Sequence, residues 1–203
     1  MVSTSMAAVT GFDEHYFAYF PRFISAPESA RLCDLLWQEL KWSQYELTLF
    51  GRLVSQPRLT AWYGEPEARY RYSGLTLDPL PWHAELTAIR IRLEKLLGYA
   101  FNSVLANAYR DGKDSMGWHS DDEKELGESP LVASVSLGAE RRFLIRRKDQ
   151  RRSSGLVLES GSLLIMKPGC QELYQHSLPK TRSVDQLRIN LTFRKIVNAV
   201  TPY

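Results

Sequence analysis

Polar and apolar positions change their rhythm near residue 100. Upstream, two segments carry apolar residues at helical spacing. Leu32, Leu35, Leu36 and Leu40 share one face, and Ser25 with Glu28 makes a capping-box pattern ahead of them. Leu86, Ile89, Leu93 and Leu96 form a second stripe within a helix predicted from about Trp82 to Leu97, and Gly98 suits a left-handed stop. Between the helices, YELTLFGRLV sets two short apolar runs around Phe50-Gly51-Arg52, which predicts a hairpin with an aromatic residue near its tip. The stretch Tyr63 to Ser73, dense in Tyr and Arg, reads as a loop. Residues 1–14 show no period and are expected to be loosely held.

From Phe101 onward the period falls to two. FNSVLANAYR, LVASVSL, RRFLIRR, GLVLE, SLLIMK and LRINLTFRKI are strand candidates, separated by Gly, Pro or Asp turns. Helices followed by closely spaced strands predict an α+β fold with an antiparallel sandwich or jelly roll. No repeat or flexible linker divides the chain, so a single domain is expected over 15–203.

Composition adds little to this picture. At 203 residues and 44% hydrophobic, the chain can bury one sizeable core. Two cysteines make no disulfide framework, and Cys33, set among leucines, reads as a small buried hydrophobe. No run reaches membrane-span length, and MVSTSMAAVTGF lacks the pattern of a signal peptide. A cytoplasmic protein without a membrane partner is expected. Net charge is only +3, but Arg141 to Arg152 holds seven cations and one anion. On charge alone that run reads as a solvated strand pair.

Two patterns carry chemistry. His119-Ser120-Asp121 is expected in a loop after a strand, where positions i and i+2 share a side, so an imidazole and a carboxylate can meet one ion. His176 supplies a third ligand of the right type. Two His and one carboxylate form the facial set of non-haem Fe(II) oxygenases, although zinc hydrolases use similar ligands. The second pattern is the last strand. Leu187, Ile189, Leu191 and Phe193 point one way, and Arg188, Asn190, Thr192 and Arg194 the other. A polar face in water would explain that alternation. So would a pocket for a dicarboxylate, which a guanidinium holds through two parallel hydrogen bonds. His15 and His83 lack comparable company.

Four motifs together resemble the AlkB-type dioxygenases: N-x-Y-x-D-G from Asn107 to Gly112, W-H-x-D-D-E from Trp118 to Glu123, H-S-L-P from His176 to Pro179, and R-x-N-x-T-F-R from Arg188 to Arg194. The resemblance covers about Leu47 to Ile196. FGRLVSQPR, YSGLTLDPLPW and NLTFRKI bring it nearest to the branch acting on duplex DNA.

The resemblance implies a double-stranded β-helix (jelly roll) with N-terminal helices packed on the sheet and a recognition lid at about 45–75. His119, Asp121 and His176 would bind Fe(II). Arg188, helped by Tyr109 and Thr192, would take the distal carboxylate of 2-oxoglutarate, and Asn107 and Arg194 its metal-bound end. Tyr70, Tyr72, Ser73, Asp122 and Glu123 would surround a flipped base, with Arg58 close to the substrate entrance. Phe50, Gly51 and Arg52 would form the finger that fills the vacated stack. Stacking of that kind offsets the cost of extruding a base. The implied reaction converts 2-oxoglutarate and O2 to succinate and CO2, and releases a methyl group from 1-methyladenine or 3-methylcytosine as formaldehyde. The implied partner is alkylated DNA, duplex or single-stranded, with RNA as an alternative. The basic run 141–152 would then meet phosphates. A monomer is expected, nucleoid-associated in a bacterium and nuclear in a eukaryote. Two other readings stand beside this one. One is an oxygenase of the same fold acting on protein or lipid. The other is a non-catalytic jelly-roll module.

Overall fold

The structure, a computed structural model, describes residues 6, 7, 9, 11–49, 52–72 and 75–197, and of 47–49, 52, 53, 70–72 and 75–77 it describes the backbone. The first elements are β1 (Phe17–Phe20), α1 (Ala26–Glu39), β2 (Glu46–Leu49), β3 (Arg52–Ser55), β4 (Leu59–Gly64), β5 (Tyr70–Tyr72), β6 (Leu75–Leu77) and α2 (Ala84–Leu97). Then come β7 (Ser103–Tyr109), β8 (Met116–His119), β9 (Val132–Gly138), β10 (Arg141–Arg147) and β11 (Ser154–Leu158). The chain closes with β12 (Leu163–Met166), α3 (Cys170–Leu173), β13 (Tyr174–Leu178) and β14 (Arg188–Arg194).

Both long helices start on a side-chain cap. The Ser25 hydroxyl accepts from the Glu28 amide, and the His83 ring from the Glu85 amide, so each satisfies one of the amides a helix start leaves open. Gly98 ends α2 at φ 62°, a conformation that costs glycine least.

The strands form a six-stranded sheet in the order β1-β12-β9-β14-β7-β4 and a four-stranded sheet in the order β11-β10-β13-β8. All their pairings are antiparallel. This is the jelly roll expected from the strand run. Alternation gives the large sheet two faces. Val104, Ala106, Val135, Leu137, Ile189, Leu191 and Phe193 share one core with Leu32, Leu36, Leu86, Ile89 and Leu93 of the helices. The opposite face meets the smaller sheet, where Phe17, Val132, Leu164 and Met166 pack with Phe143, Ile145 and Leu158. Leu36 and Leu93 are wholly buried, and truncating either to Ala would cost about 2–5 kcal/mol.

Three stretches depart from the sequence expectation. FAYF and LTAWYG are strands although neither alternates, because nearly every residue in them is covered on both faces. The segment read as a loop from Tyr63 to Ser73 begins at the end of β4 and includes β5, which pairs with β6. Within residues 1–14, Phe12 is buried edge-on to Phe17 and the Ala7 amide donates to the Tyr19 carbonyl. The hairpin β2–β3 pairs Leu49 with Arg52, and residues 50, 51, 73 and 74 lie outside the described residues. Among the described residues, no helix is long and apolar enough to cross a membrane.

Candidate metal centre and its cavity

His119 ends β8, Asp121 lies two residues on, and His176 sits in the middle of β13, directly opposite His119 in the strand pairing. Local sequence thus supplies two donors and strand register supplies the third. The ligand atoms of the three residues lie within 4.8 Å of one another, and the imidazole centroids are 4.1 Å apart. His119 is the last residue of a strand rather than part of a loop, and it keeps the same spacing.

Neighbouring groups fix each donor. The Nδ1–H of His119 donates to the Gly117 carbonyl at 2.9 Å, which leaves Nε2 as the lone-pair donor. The Asp121 amide donates to Oε1 of the buried Gln171 at 2.9 Å, and Ser120 Oγ donates to the Tyr174 carbonyl. Phe143 stacks on the His176 ring at 5.3 Å. Burial, with His119 beside it, pushes the His176 imidazole down to about 3, so it stays neutral and able to donate to a metal. Burial alone would raise the Asp121 carboxyl. The Arg194 guanidinium, 3.4 Å away, and the two imidazoles outweigh it and hold the group below the ordinary carboxylate value.

The cavity beside this cluster is walled by the polar face of β14. Arg188, Asn190, Thr192 and Arg194 line it, with Asn107, Tyr109 and Arg58. Arg188 is 1% exposed. Its Nη2 donates to Ser136 Oγ at 3.0 Å and to Asn190 Oδ1 at 3.3 Å, while Nε and Nη1 have no hydrogen-bond partner among the described residues. Burial lowers its pKa to about 10, so it remains a cation at neutral pH. Its guanidinium carbon is 5.3 Å from the Tyr109 ring centroid. Two unpartnered nitrogens on a buried guanidinium are costly unless an anion completes them. They fit one carboxylate of a dicarboxylate whose other end reaches the His-Asp-His cluster.

The remaining expected site residues divide. Arg58 is buried, and its Nε donates to Asn107 Oδ1 at 3.0 Å, so it is part of the cavity wall. Glu123 lines the cavity, with Oε2 3.6 Å from Arg194 Nη1. Asp122, also expected beside the base, is not among the residues that line the cavity. Successive side chains in an extended segment point opposite ways, so Asp121 and Glu123 face inward. The Asp122 side chain is 61% exposed and 3.3 Å from Lys148 Nζ. Tyr70, Tyr72 and Arg52 are described in backbone only, and Phe50, Gly51 and Ser73 lie outside the described residues. Sequence reading missed Gln171, Ser136 and Phe143. All three act on the site through partners far along the chain, so no local pattern marks them.

Comparison with known proteins gives a consistent set of relatives. The pattern of the 2OG-Fe(II) oxygenase superfamily matches residues 16–194. The human alpha-ketoglutarate-dependent dioxygenase alkB homolog 3 is 40% identical over 187 residues, covering 87% of this chain and 65% of that protein. The DNA oxidative demethylase ALKBH2 of Mus musculus is 44% identical over 160 residues, covering 75% of this chain and 67% of that protein. The solved structure of OsALKBH1 shares the fold, with a TM-score of 0.66 at 15% identity, over 94% of this chain and 100% of that one. The chain spans 65% of the length of the human homolog 3 and 63% of the rat protein it also matches.

Proposed function

The chain belongs to the 2OG-Fe(II) oxygenase superfamily, and from that premise we propose that it oxidatively demethylates alkylated bases of DNA such as 1-methyladenine and 3-methylcytosine. The observation that carries this reading is the pairing of a His-Asp-His cluster with a buried arginine that lines the same cavity and has two guanidinium nitrogens unpartnered among the described residues.

His119, Asp121 and His176 would hold Fe(II), and Arg188 would hold the distal carboxylate of 2-oxoglutarate. With O2, these groups supply the oxidation: 2-oxoglutarate gives succinate and CO2, and one oxygen atom enters a C–H bond of the N-methyl group. The hydroxymethyl product is a hemiaminal, which collapses to formaldehyde and the unmodified base. The protein contributes position and electrostatics. Gln171 and Gly117 orient two of the donors. Arg194 keeps Asp121 ionised. Glu123 presents a carboxylate to the cavity, which suits a lesion base carrying positive charge.

The lid residues Tyr70, Tyr72 and Ser73 would enclose the base. Phe50, Gly51 and Arg52, which follow β2 in the sequence, would serve a duplex substrate. A monomer acting in the compartment that holds DNA, the cytoplasm and nucleoid or the nucleus, completes the reading.

The test is a panel of methylated single- and double-stranded DNA and RNA oligonucleotides with iron, ascorbate and 2-oxoglutarate. Succinate and formaldehyde should rise together on methylated DNA and stop on adding a chelator. Succinate formation that no methylated nucleic acid stimulates would move the activity to a protein or lipid substrate. Phe50→Ala gives the duplex arm. Losing one stacking contact of roughly 1–3 kcal/mol should slow duplex repair about 5- to 150-fold and single-strand repair little. Equal losses on both substrates would remove the wedge.

A further inference from the structure

Arg141 opens the basic strand β10, yet it is 2% exposed. Among the described residues it makes no direct ion pair with a carboxylate. Nη1 donates to the Asp111 carbonyl at 3.0 Å, and Nη2 to the Asp114 and Pro179 carbonyls at 2.9 and 2.8 Å. The neighbouring Asp114 carboxylate is committed to Arg110, whose Nε and Nη2 lie 2.8 and 2.9 Å away. Asp114 and Asp111 act on the Arg141 charge without a direct ion pair, and a buried guanidinium hydrogen-bonded to backbone carbonyls keeps a positive field inside the protein that is costly to maintain.

Its position indicates the use. The three carbonyls belong to two loops, residues 110–115 after β7 and 179–187 before β14. The two loops are stitched to each other as well, because the Gly112 amide donates to the Val184 carbonyl at 2.7 Å and the Thr181 amide to the Gly112 carbonyl at 2.8 Å. A Cβ at Gly112 would run into the Thr181 and Val184 carbonyls, so the contact is close-packed. Tyr109 immediately precedes the first loop, and Arg188 immediately follows the second. Both guanidinium groups lie over the Tyr109 ring, Arg188 at 5.3 Å and Arg141 at 6.0 Å from its centroid.

We infer that Arg141 is a positioning residue for the co-substrate: it ties together the loops that set Tyr109 and Arg188, and its buried charge adds to the attraction for the far carboxylate of a 2-oxo dicarboxylic acid. This rests on the assignment of the Arg188 cavity to 2-oxoglutarate. It also takes Arg141 out of the phosphate-binding role that the basic run suggests.

The experiment measures binding of 2-oxoglutarate and of oxalate to Mn(II)-loaded protein by calorimetry. Both ligands chelate a metal, and only the first reaches the far end of the cavity. Arg141→Met should weaken 2-oxoglutarate by about tenfold, within the range for residues coupled in one packed network, and leave oxalate unchanged. Arg141→Lys keeps the charge but cannot reach three carbonyls, so it should show a smaller loss of the same selectivity. It also carries the test if the Met variant does not fold. Equal weakening of both ligands, or wild-type affinity for both in either variant, overturns the role of Arg141. Arg188→Met serves as the control. If it too fails to separate 2-oxoglutarate from oxalate, the cavity assignment itself falls.

Discussion

Two arginine-bearing strands, β14 and β10, look alike in composition and differ in what their charges do. On β14, Arg188 and Arg194 are each 1% exposed and face the cavity beside the metal cluster. On β10, Arg142 is exposed, Arg146 stacks 4.2 Å over Trp118, and Arg147 pairs with Asp149 at the surface. An exposed cation costs almost nothing to place and tells little. Arg188, buried with two nitrogens unpartnered among the described residues, is maintained at a cost, and that cost marks the site. Arg141 is the exception within β10: it is buried, and its contacts connect it to the β14 site.

The largest difference should come from removing the buried charge. Arg188→Met should weaken 2-oxoglutarate by about 100-fold or more, because truncating one partner of a buried charge pair typically costs about 2–5 kcal/mol. Affinity for an unmodified oligonucleotide should stay at the wild-type level. Titrating both ligands against the same preparation checks this, and a loss confined to the oligonucleotide would reverse the contrast between the strands.

Next in size is a pH effect on the metal-free protein. The folded-state pKa of His176 is depressed to about 3, against an ordinary value of about 6.5. The unfolded chain therefore takes up the proton first. The stability from keeping this ring neutral is fully present above pH 6.5 and is lost as pH falls toward 3. The slope should approach about 1.4 kcal/mol per pH unit for one such group. Asp121, held low by Arg194 and the imidazoles against its burial, acts in the same direction at lower pH. Urea midpoints at pH 7.5 and pH 5 would show it. A midpoint that does not fall would mean His176 takes up a proton in the folded state as readily as in the unfolded chain.

The smallest effect belongs to β10. Arg147→Ala should shift stability by less than about 0.5 kcal/mol and leave 2-oxoglutarate binding unchanged. If this strand meets phosphates, the variant should flatten the salt dependence of oligonucleotide binding by about one unit of slope. An unchanged slope assigns Arg147 to the solvated surface alone.

The sequence made the chemistry easier to see than the walls around it. His119 and Asp121 are two residues apart, and the polar side of β14 alternates strictly, so local geometry was enough to propose both. Their convergence with His176 depends on the β8–β13 pairing, which no local pattern encodes. Strands β1 and β4 were hidden because residues covered on both faces lose the period-two signal. A D-D-E run looks like one acidic patch, whereas extended backbone sends alternate carboxylates to opposite sides, so Asp122 stands apart from Glu123. The charge run at 141–152 concealed Arg141, since composition cannot separate a buried guanidinium from its exposed neighbours.

The most direct test of the central claim is a crystal structure of the protein with Mn(II) and 2-oxoglutarate, prepared without oxygen. It should show the metal on His119, Asp121 and His176, with one 2-oxoglutarate chelating it and the distal carboxylate accepting from Nε and Nη1 of Arg188. A metal held without any one of the three residues, or a distal carboxylate away from Arg188, would contradict the account.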